Sequence, residues 1–238
     1  MYDSALEILK KLDALGYEAY IIGGYPRDTI LNYYTDDIDI CTNALPHVIK
    51  ELFNVVKDNS KFGSLVINYN GYLFEITTYR IELEYNNRYP KIEFADSLDK
   101  DLKRRDFTIN TICIDKNGQY IDLLNGKEDL NNKIIRMVGN VDKKIKEDPI
   151  RILRAIRLKE KLNFELEKSL EHSIIEYGYL LETLSINNIK SELNKMNDKA
   201  INTLKQLKLD KYLKELIWKK KLENYYNKEM LNFQDYYY

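Results

Sequence analysis

Gly23-Gly24-Tyr25-Pro26-Arg27-Asp28, followed by Asp37-Ile38-Asp39, combines residue types that could do phosphoryl chemistry. Two glycines can take backbone conformations that side chains forbid and let a phosphate reach the main chain. Two carboxylates one residue apart repel each other, and divalent cations relieve that cost. Hard oxygen ligands and phosphates are what Mg2+ prefers, and paired metals support in-line phosphoryl displacement. Each half alone is a weak signal, because Gly-Gly turns are common and a lone Asp-x-Asp is more often a solvated turn or a strand end. Order and spacing give the pair its weight.

Positioning these groups takes a strand, a turn, a helix and a second strand. Ala19 to Ile22 is a short apolar run that reads as a buried strand. Pro26 suits a first helical turn, so a helix is expected from the glycines to about residue 33, with its backbone N–H groups turned toward an anion. A strand over residues 37–41 would place Asp37 and Asp39 on one face, since strand side chains alternate. Ala5, Ile8, Leu9, Leu12 and Leu15 recur at helical spacing and predict an amphipathic helix over residues 2–15 that covers a sheet face. A further helix is expected over 46–53 with Asn43 as its cap. Strands at 64–69 and 72–79 bracket Asn70-Gly71, a strong hairpin signal, so the sheet is mixed or antiparallel here. Glu75 falls inside the second of these strands, in a stretch that reads as core, where a carboxylate needs a partner. Residues 80–94 show no clear period and read as a mobile loop. A second hairpin signal, Asn117-Gly118, follows.

The order strand, Gly-Gly, Arg-Asp helix, Asp-Ile-Asp resembles the first motif of the class II nucleotidyltransferases of the polymerase-beta superfamily. That group contains CCA-adding enzymes and bacterial poly(A) polymerases, and it usually has Val where this chain has Pro26. Arg104-Arg105-Asp106-Phe107-Thr108-Ile109-Asn110 matches the family's second motif, and Asp122-Leu-Leu-Asn-Gly126 its third, which is structural. Glu147-Asp148-Pro149-Ile150-Arg151 continuing to Arg154 and Arg157 matches the fourth. The resemblance implies metal ligation by Asp37 and Asp39, with Glu75 as a candidate third carboxylate. It places Gly23, Gly24, Arg27, Arg104, Arg105, Asp106 and Asn110 at the triphosphate and ribose. It assigns base selection to Asp148 and Arg151, with Arg154 and Arg157 beside them. A carboxylate accepts from the exocyclic amino group that both C and A carry, while an arginine donates to ring or carbonyl acceptors. Residues 80–94, with Arg80, Glu84 and Arg88, resemble the flexible loop used in switching from C to A.

Read from the residues alone, the arginines have plainer explanations: a favourable dipole interaction at a helix end and a solvated helix face. Composition sets the class. With 238 residues, 44% apolar and 32% charged, the chain is that of a soluble globular protein. It holds no run of apolar residues long enough to span a bilayer and no signal-peptide pattern at its start, so a cytoplasmic protein with no membrane partner is expected. Cys41 and Cys113 sit in apolar runs and read as buried small hydrophobes, and two His argue against zinc. A net charge of -1 makes no global case for nucleic acid.

The expected architecture is an α/β (α+β) polymerase-beta-like head at residues 1–138 with a mixed or antiparallel sheet, then an all-α neck and reduced body at 139–238, with no tail domain. Within 186–193 the family's Glu-Arg pair is absent. The implied activity is addition of CCA to tRNA, or to other RNA 3′ ends, from CTP and ATP with Mg2+. Poly(A) synthesis and a weakly active RNA-binding or partner subunit are the alternatives, and a homodimer supplying further tRNA surface is left open.

Overall fold

The computed structural model describes residues 1–86 and 89–213. They fall into two compact units, Met1–Asn132 with Arg136–Gly139, and Lys133–Ile135 with the chain from Asn140.

In the first unit, α1 (Tyr2–Asp13) precedes β1 (Ala19–Ile22), α2 (Gly24–Ile30), β2 (Asp39–Thr42), α3 (Pro46–Leu52), β3 (Asn54–Asn59), β4 (Ser64–Tyr69) and β5 (Tyr72–Thr78). Then come β6 (Arg80–Asn86), β7 (Tyr89–Phe94), α4 (Leu98–Arg104), a 3-10 turn at Thr108–Asn110, β8 (Cys113–Ile114), β9 (Tyr120–Ile121) and α5 (Gly126–Asn131). Seven strands form one sheet in the order β3-β4-β5-β2-β1-β8-β9. Only β2 and β5 run parallel; every other pair is antiparallel. One face packs Ile21, Ile38, Ile40, Ile67, Phe74 and Ile76 against Ile8, Leu9 and Leu12 of α1. The other packs Ile22, Cys41, Cys113 and Tyr79 against Leu98 and Leu102 of α4. Each helix thus presents an apolar stripe to one side of the sheet, and burial of that stripe drives the packing.

The β4–β5 turn is of the kind a right-twisted hairpin favours, with Asn70 at φ 52° and Gly71 at φ 81°. Several expectations need correction. Residues 80–94 are a two-stranded hairpin rather than a loop; its alternation is masked by one extra residue in β6 between Glu82 and Tyr85, and several of its inward groups are charged. Of the residues expected there as loop contacts, Arg80 and Glu84 lie on β6, and Arg88 lies outside the described residues. Leu15 follows the end of α1 and is exposed. Asn43 caps no helix: its Oδ1 accepts from the Glu18 amide, while α3 starts after Leu45 without a side-chain cap. The edge strand β3 escaped sequence reading because most of its side chains face solvent.

In the second unit, β10 (Ile134–Ile135) pairs in parallel with β11 (Glu165–Leu166) beside α6 (Val141–Glu147), α7 (Ile150–Leu162), α8 (Lys168–Tyr177), α9 (Ile186–Leu193) and α10 (Asp198–Gln206). Asn140, Glu167, Ser185 and Asn197 each accept from an amide in the first turn of the next helix. Ile145, Ile152, Leu153, Ile156, Leu170, Ile174, Ile189, Leu193, Ile201 and Leu204 are buried. The residues after Phe164 begin with the short strand β11, not a helix, and Ile186 is exposed. No helix among the described residues is long and apolar enough to cross a membrane.

Candidate active site

β1 ends at Ile22 and the chain turns through Gly23 at φ 87°, ψ -131°, a conformation in which an L side chain is strained. A Cβ placed on Gly23 would stand 2.9 Å from Oδ2 of Asp39. The carboxylate therefore lies directly over bare backbone. Asp39 opens β2, opposite Ile22 of β1 and in parallel register with Glu75 of β5. Ile38, Ile40, Phe74 and Ile76 all enter the α1-side core, so Asp39 and Glu75 leave the sheet on the other face, the side of Cys41.

Asp37 precedes the strand rather than lying within it, because β2 begins at Asp39. Its amide donates to Thr35 Oγ1, and its side chain is exposed. Burial still alternates from 37 to 40, as exposed, buried, half-buried, buried. Period two therefore begins one residue pair ahead of the ladder. Glu75 is exposed rather than buried, and it accepts from Ser64 Oγ on the neighbouring strand. Among the described residues no three His, Cys, Asp or Glu side chains converge as a metal cage. Glu75 is thus not gathered with Asp37 and Asp39 into one set of ligands. The all-oxygen character of Asp37 and Asp39 suits a hard cation that keeps some waters and shares phosphate oxygens.

Gly24 begins α2, and Arg27 within it is buried. The Arg27 guanidinium donates from Nε to Asp28 at 2.7 Å and from Nη1 to Asn110 Oδ1 at 2.5 Å. Asn110 in turn donates to Asp106 Oδ1 at 3.1 Å, and that oxygen also accepts the Phe107 amide. The helix after the glycine turn and the 3-10 turn at Thr108–Asn110 are thereby joined by one polar chain. Gly126 seals this arrangement from behind, since a Cβ there would meet the Thr108 carbonyl at 2.4 Å. Both oxygens of Asp122 accept the amides of Gly126 and Lys127 at 2.8 Å, which caps α5. The Asp122-x-x-x-Gly126 spacing is therefore a helix start that lets α5 touch the turn carrying Asn110.

Arg104 and Arg105 end α4 and both reach back to Asp101, whose side chain is wholly buried. Burial by itself raises the Asp101 carboxyl, but the two guanidiniums outweigh it and hold it below the ordinary range. Sequence reasoning missed Asp101, although its spacing of three and four residues before the arginines was a usable signal. Cys41 and Cys113 are both buried free thiols. Burial pushes the Cys41 thiol well up, which leaves it inert at neutral pH.

The second unit holds the fourth group of expected residues. Asp148 Oδ1 accepts the Ile150 amide at 3.2 Å where α7 begins. Arg151 is buried, donates to the Lys144 carbonyl at 2.6 Å and lies 3.5 Å from Glu147. Arg154 and Arg157 turn instead toward Glu192 of α9, at 4.0 and 2.9 Å. The three arginines do not form one solvated stripe, because a three-residue step rotates about 60° short of a full turn and carries Arg151 toward α6.

Residues 19–136 match the poly(A) polymerase head domain family. The CCA-adding enzyme of Lactobacillus helveticus is 42% identical over 199 residues, covering 82% of this chain and 50% of that protein. The chain belongs to the family of poly(A) polymerases and CCA-adding enzymes. Within that family it is also similar to the CCA-adding enzyme of Ligilactobacillus salivarius, 40% identical over 198 residues, 82% of this chain and 49% of that one. Solved family structures agree. That of the Bacillus stearothermophilus CCA-adding enzyme in complex with CTP aligns at a TM-score of 0.84 and 34% identity, over 90% of this chain and 54% of that chain. The Thermotoga maritima CCA-adding enzyme complexed with tRNA-CCA aligns at 0.71 and 28% identity, over 88% and 51%. The chain spans about half the length of the curated relatives it matches.

Proposed function

We propose that this chain extends RNA 3′ ends, adding C, C and A to tRNA from CTP and ATP with release of pyrophosphate. The observation that carries the proposal is the Asp39 carboxylate lying against the bare backbone of Gly23, at the end of the strand that carries it and beside the Glu75 strand. Because Gly23 carries no side chain of its own, a phosphate joined to the Asp39 carboxylate through a cation would find the main chain of that turn within reach.

The roles divide as follows. Asp37 and Asp39 would hold divalent cations, with Mg2+ the ion their oxygens favour. Such cations neutralise phosphate charge and acidify an attacking hydroxyl. Arg27 fixes Asn110 and through it Asp106, so that both can meet a ribose. Arg104 and Arg105 grip phosphate oxygens, for which a planar guanidinium with permanent charge is suited. Asp148 and Arg151 read the base edge: their orientation is fixed by the Ile150 amide and the Lys144 carbonyl, and U or G would leave them with unpaired polar groups. Glu75 positions the strand beside Asp39 through its bond to Ser64. The protein acts in the cytoplasm, where its RNA and nucleotides are.

The match to a poly(A) polymerase head favours poly(A) synthesis as the second reading. Incubation with Mg2+ and a labelled tRNA ending at the discriminator base separates the two. Three added residues with both nucleotides, and two with CTP alone, support CCA addition. Long A tracts with ATP alone assign poly(A) synthesis. No extension of any RNA refutes both.

A further inference from the structure

Three guanidiniums and two carboxylates meet where β6 passes α4. Asp101 Oδ1 accepts from the Arg80 amide at 3.2 Å and from Arg104 Nε at 2.8 Å, while its Oδ2 takes Arg105 Nη2 at 3.0 Å. Glu82 faces them from β6. Its Oε1 accepts from Arg80 Nη2 at 3.2 Å and stands 3.8 Å from Arg104 Nη1, while its Oε2 accepts the Tyr85 hydroxyl. Arg80 also donates to the Phe62 carbonyl. Within the cluster one positive charge is in surplus. The Nε–H groups of Arg80 and Arg105 are buried and face no acceptor among the described residues. Buried donors and buried charge without partners are costly, and the species that would relieve both is an anion.

We propose that Glu82 is a positioning residue that occupies Arg104 in the place of a phosphate, so that phosphate binding in this unit releases the β6–β7 hairpin from α4. The inference rests on reading Arg104 as a phosphate grip. The Glu82–Arg104 contact is the longest ion pair of the cluster, and Coulomb attraction falls with distance, so it is the one an incoming phosphate displaces. Among the described residues Glu82 is the β6 carboxylate that meets α4; the Arg80 amide bond to Asp101 lies at the hairpin's base and can serve as its pivot. Burial alone would raise the Glu82 carboxyl, yet the Tyr85 hydroxyl and the two arginines hold it below the ordinary carboxylate range. It is therefore ionised at neutral pH, as a stand-in for phosphate must be.

Calorimetric titration of the whole chain with inorganic pyrophosphate, at low salt and without metal, tests this. Glu82→Gln keeps the shape and leaves an amide oxygen to accept from Arg80, with the Tyr85 hydroxyl turned to accept from the amide nitrogen, while removing the competing charge; it should bind pyrophosphate about threefold tighter or better. Glu93→Gln, on the exposed face of β7, makes the same charge change away from Arg104 and should bind as the unaltered chain does. Equal or weaker binding by Glu82→Gln, or equal tightening in both variants, overturns the proposal. In the unaltered chain pyrophosphate should also speed amide exchange at Glu82, Leu83 and Glu84, and unchanged exchange overturns the proposal even if Glu82→Gln fails to fold. If the unaltered chain binds no pyrophosphate at all, the phosphate grip itself is wrong, and the inference falls with it.

Discussion

Replacing Gly23 by alanine is expected to damage catalysis more than stability. The backbone at 23 has φ 87° and ψ -131°, so an L side chain there costs about 1–3 kcal/mol. For a chain of this size that is a fall in Tm of roughly 2–12 °C. The added Cβ would also stand 2.9 Å from Asp39 Oδ2, whereas an unstrained contact needs about 3.5 Å. The atom it meets is the end of a short side chain, so the relief comes by rotating the carboxylate rather than by moving the sheet. That adds little to the folding cost but displaces the proposed metal ligand by roughly half an ångström. Since a misplacement of about 1 Å can cost on the order of 100-fold in rate, kcat for CMP incorporation should fall at least about tenfold while KM for CTP stays within about twofold. Gly24→Ala is the comparison, because position 24 is helical and its Cβ would meet only Arg27 Nη2 at 3.4 Å. Helix preference gained there, about 1 kcal/mol, offsets that contact. Thermal unfolding and steady-state incorporation on both variants decide the matter. Unchanged stability together with unchanged kcat in Gly23→Ala would refute the described turn and the place of Asp39 above it.

Four further outcomes are expected. Asp37→Ala and Asp39→Ala should each abolish incorporation while far-ultraviolet circular dichroism stays unchanged; near-normal activity in either would sink the metal assignment. Asp101→Asn strips the buried partner from two arginines and should cost about 3–5 kcal/mol in urea unfolding at pH 7. Because the Asp101 carboxyl is held below its ordinary value, its contribution is full above the ordinary carboxylate range and fades as pH falls through the lowered value; the gap between the two proteins should therefore narrow below about pH 4. Gly126→Ala pushes a methyl onto the Thr108 carbonyl and should destabilise by about 1–3 kcal/mol, with a loss of activity transmitted through Asn110. Glu192→Ala leaves Arg157, and more loosely Arg154, without their carboxylate, and a loss of about 3 kcal/mol is expected, read by chemical denaturation.

How far the fold could be read depended on whether local chemistry and tertiary burial agreed. β1 was legible to the residue because Ala19 to Ile22 is apolar and ends at glycines that cannot continue it. The β4–β5 hairpin was legible because Asn70 and Gly71 are the residues that accept positive φ. The β6–β7 hairpin was not, because an extra residue breaks its alternation and an ion pair and a hydrogen bond to α4, more than 20 residues on from the β6 groups that make them, help to anchor it. Glu75 misled for a related reason: a carboxylate among Phe74, Ile76 and Thr77 looks buried in one dimension, while period two turns it to the open face.

The candidate site shows what a linear pattern leaves out, namely the partners that hold a functional side chain still. Arg27 stands in a motif that suggests a hand reaching for phosphate, yet its guanidinium is spent on Asp28 and Asn110. Freeing it would expose a buried cation's worth of unpaired donors, a cost that no single phosphate contact recovers. Arg27 therefore works by orienting Asn110 and Asp106, and the two motifs, 83 residues apart at the Arg27–Asn110 bond, operate as one piece. Asp101 does the same for Arg104 and Arg105, and Glu192 for Arg157. For Arg104, Arg105 and Arg157 the residue proposed to meet the nucleotide was visible from its type, while the carboxylate that fixes it was invisible until the chain was folded; Arg27, Asn110 and Asp106 were all visible, and what was hidden was the bonds among them. A functional arginine in a buried setting needs such a carboxylate or carbonyl, because charge that is desolvated without a partner would leave the fold before it met its ligand.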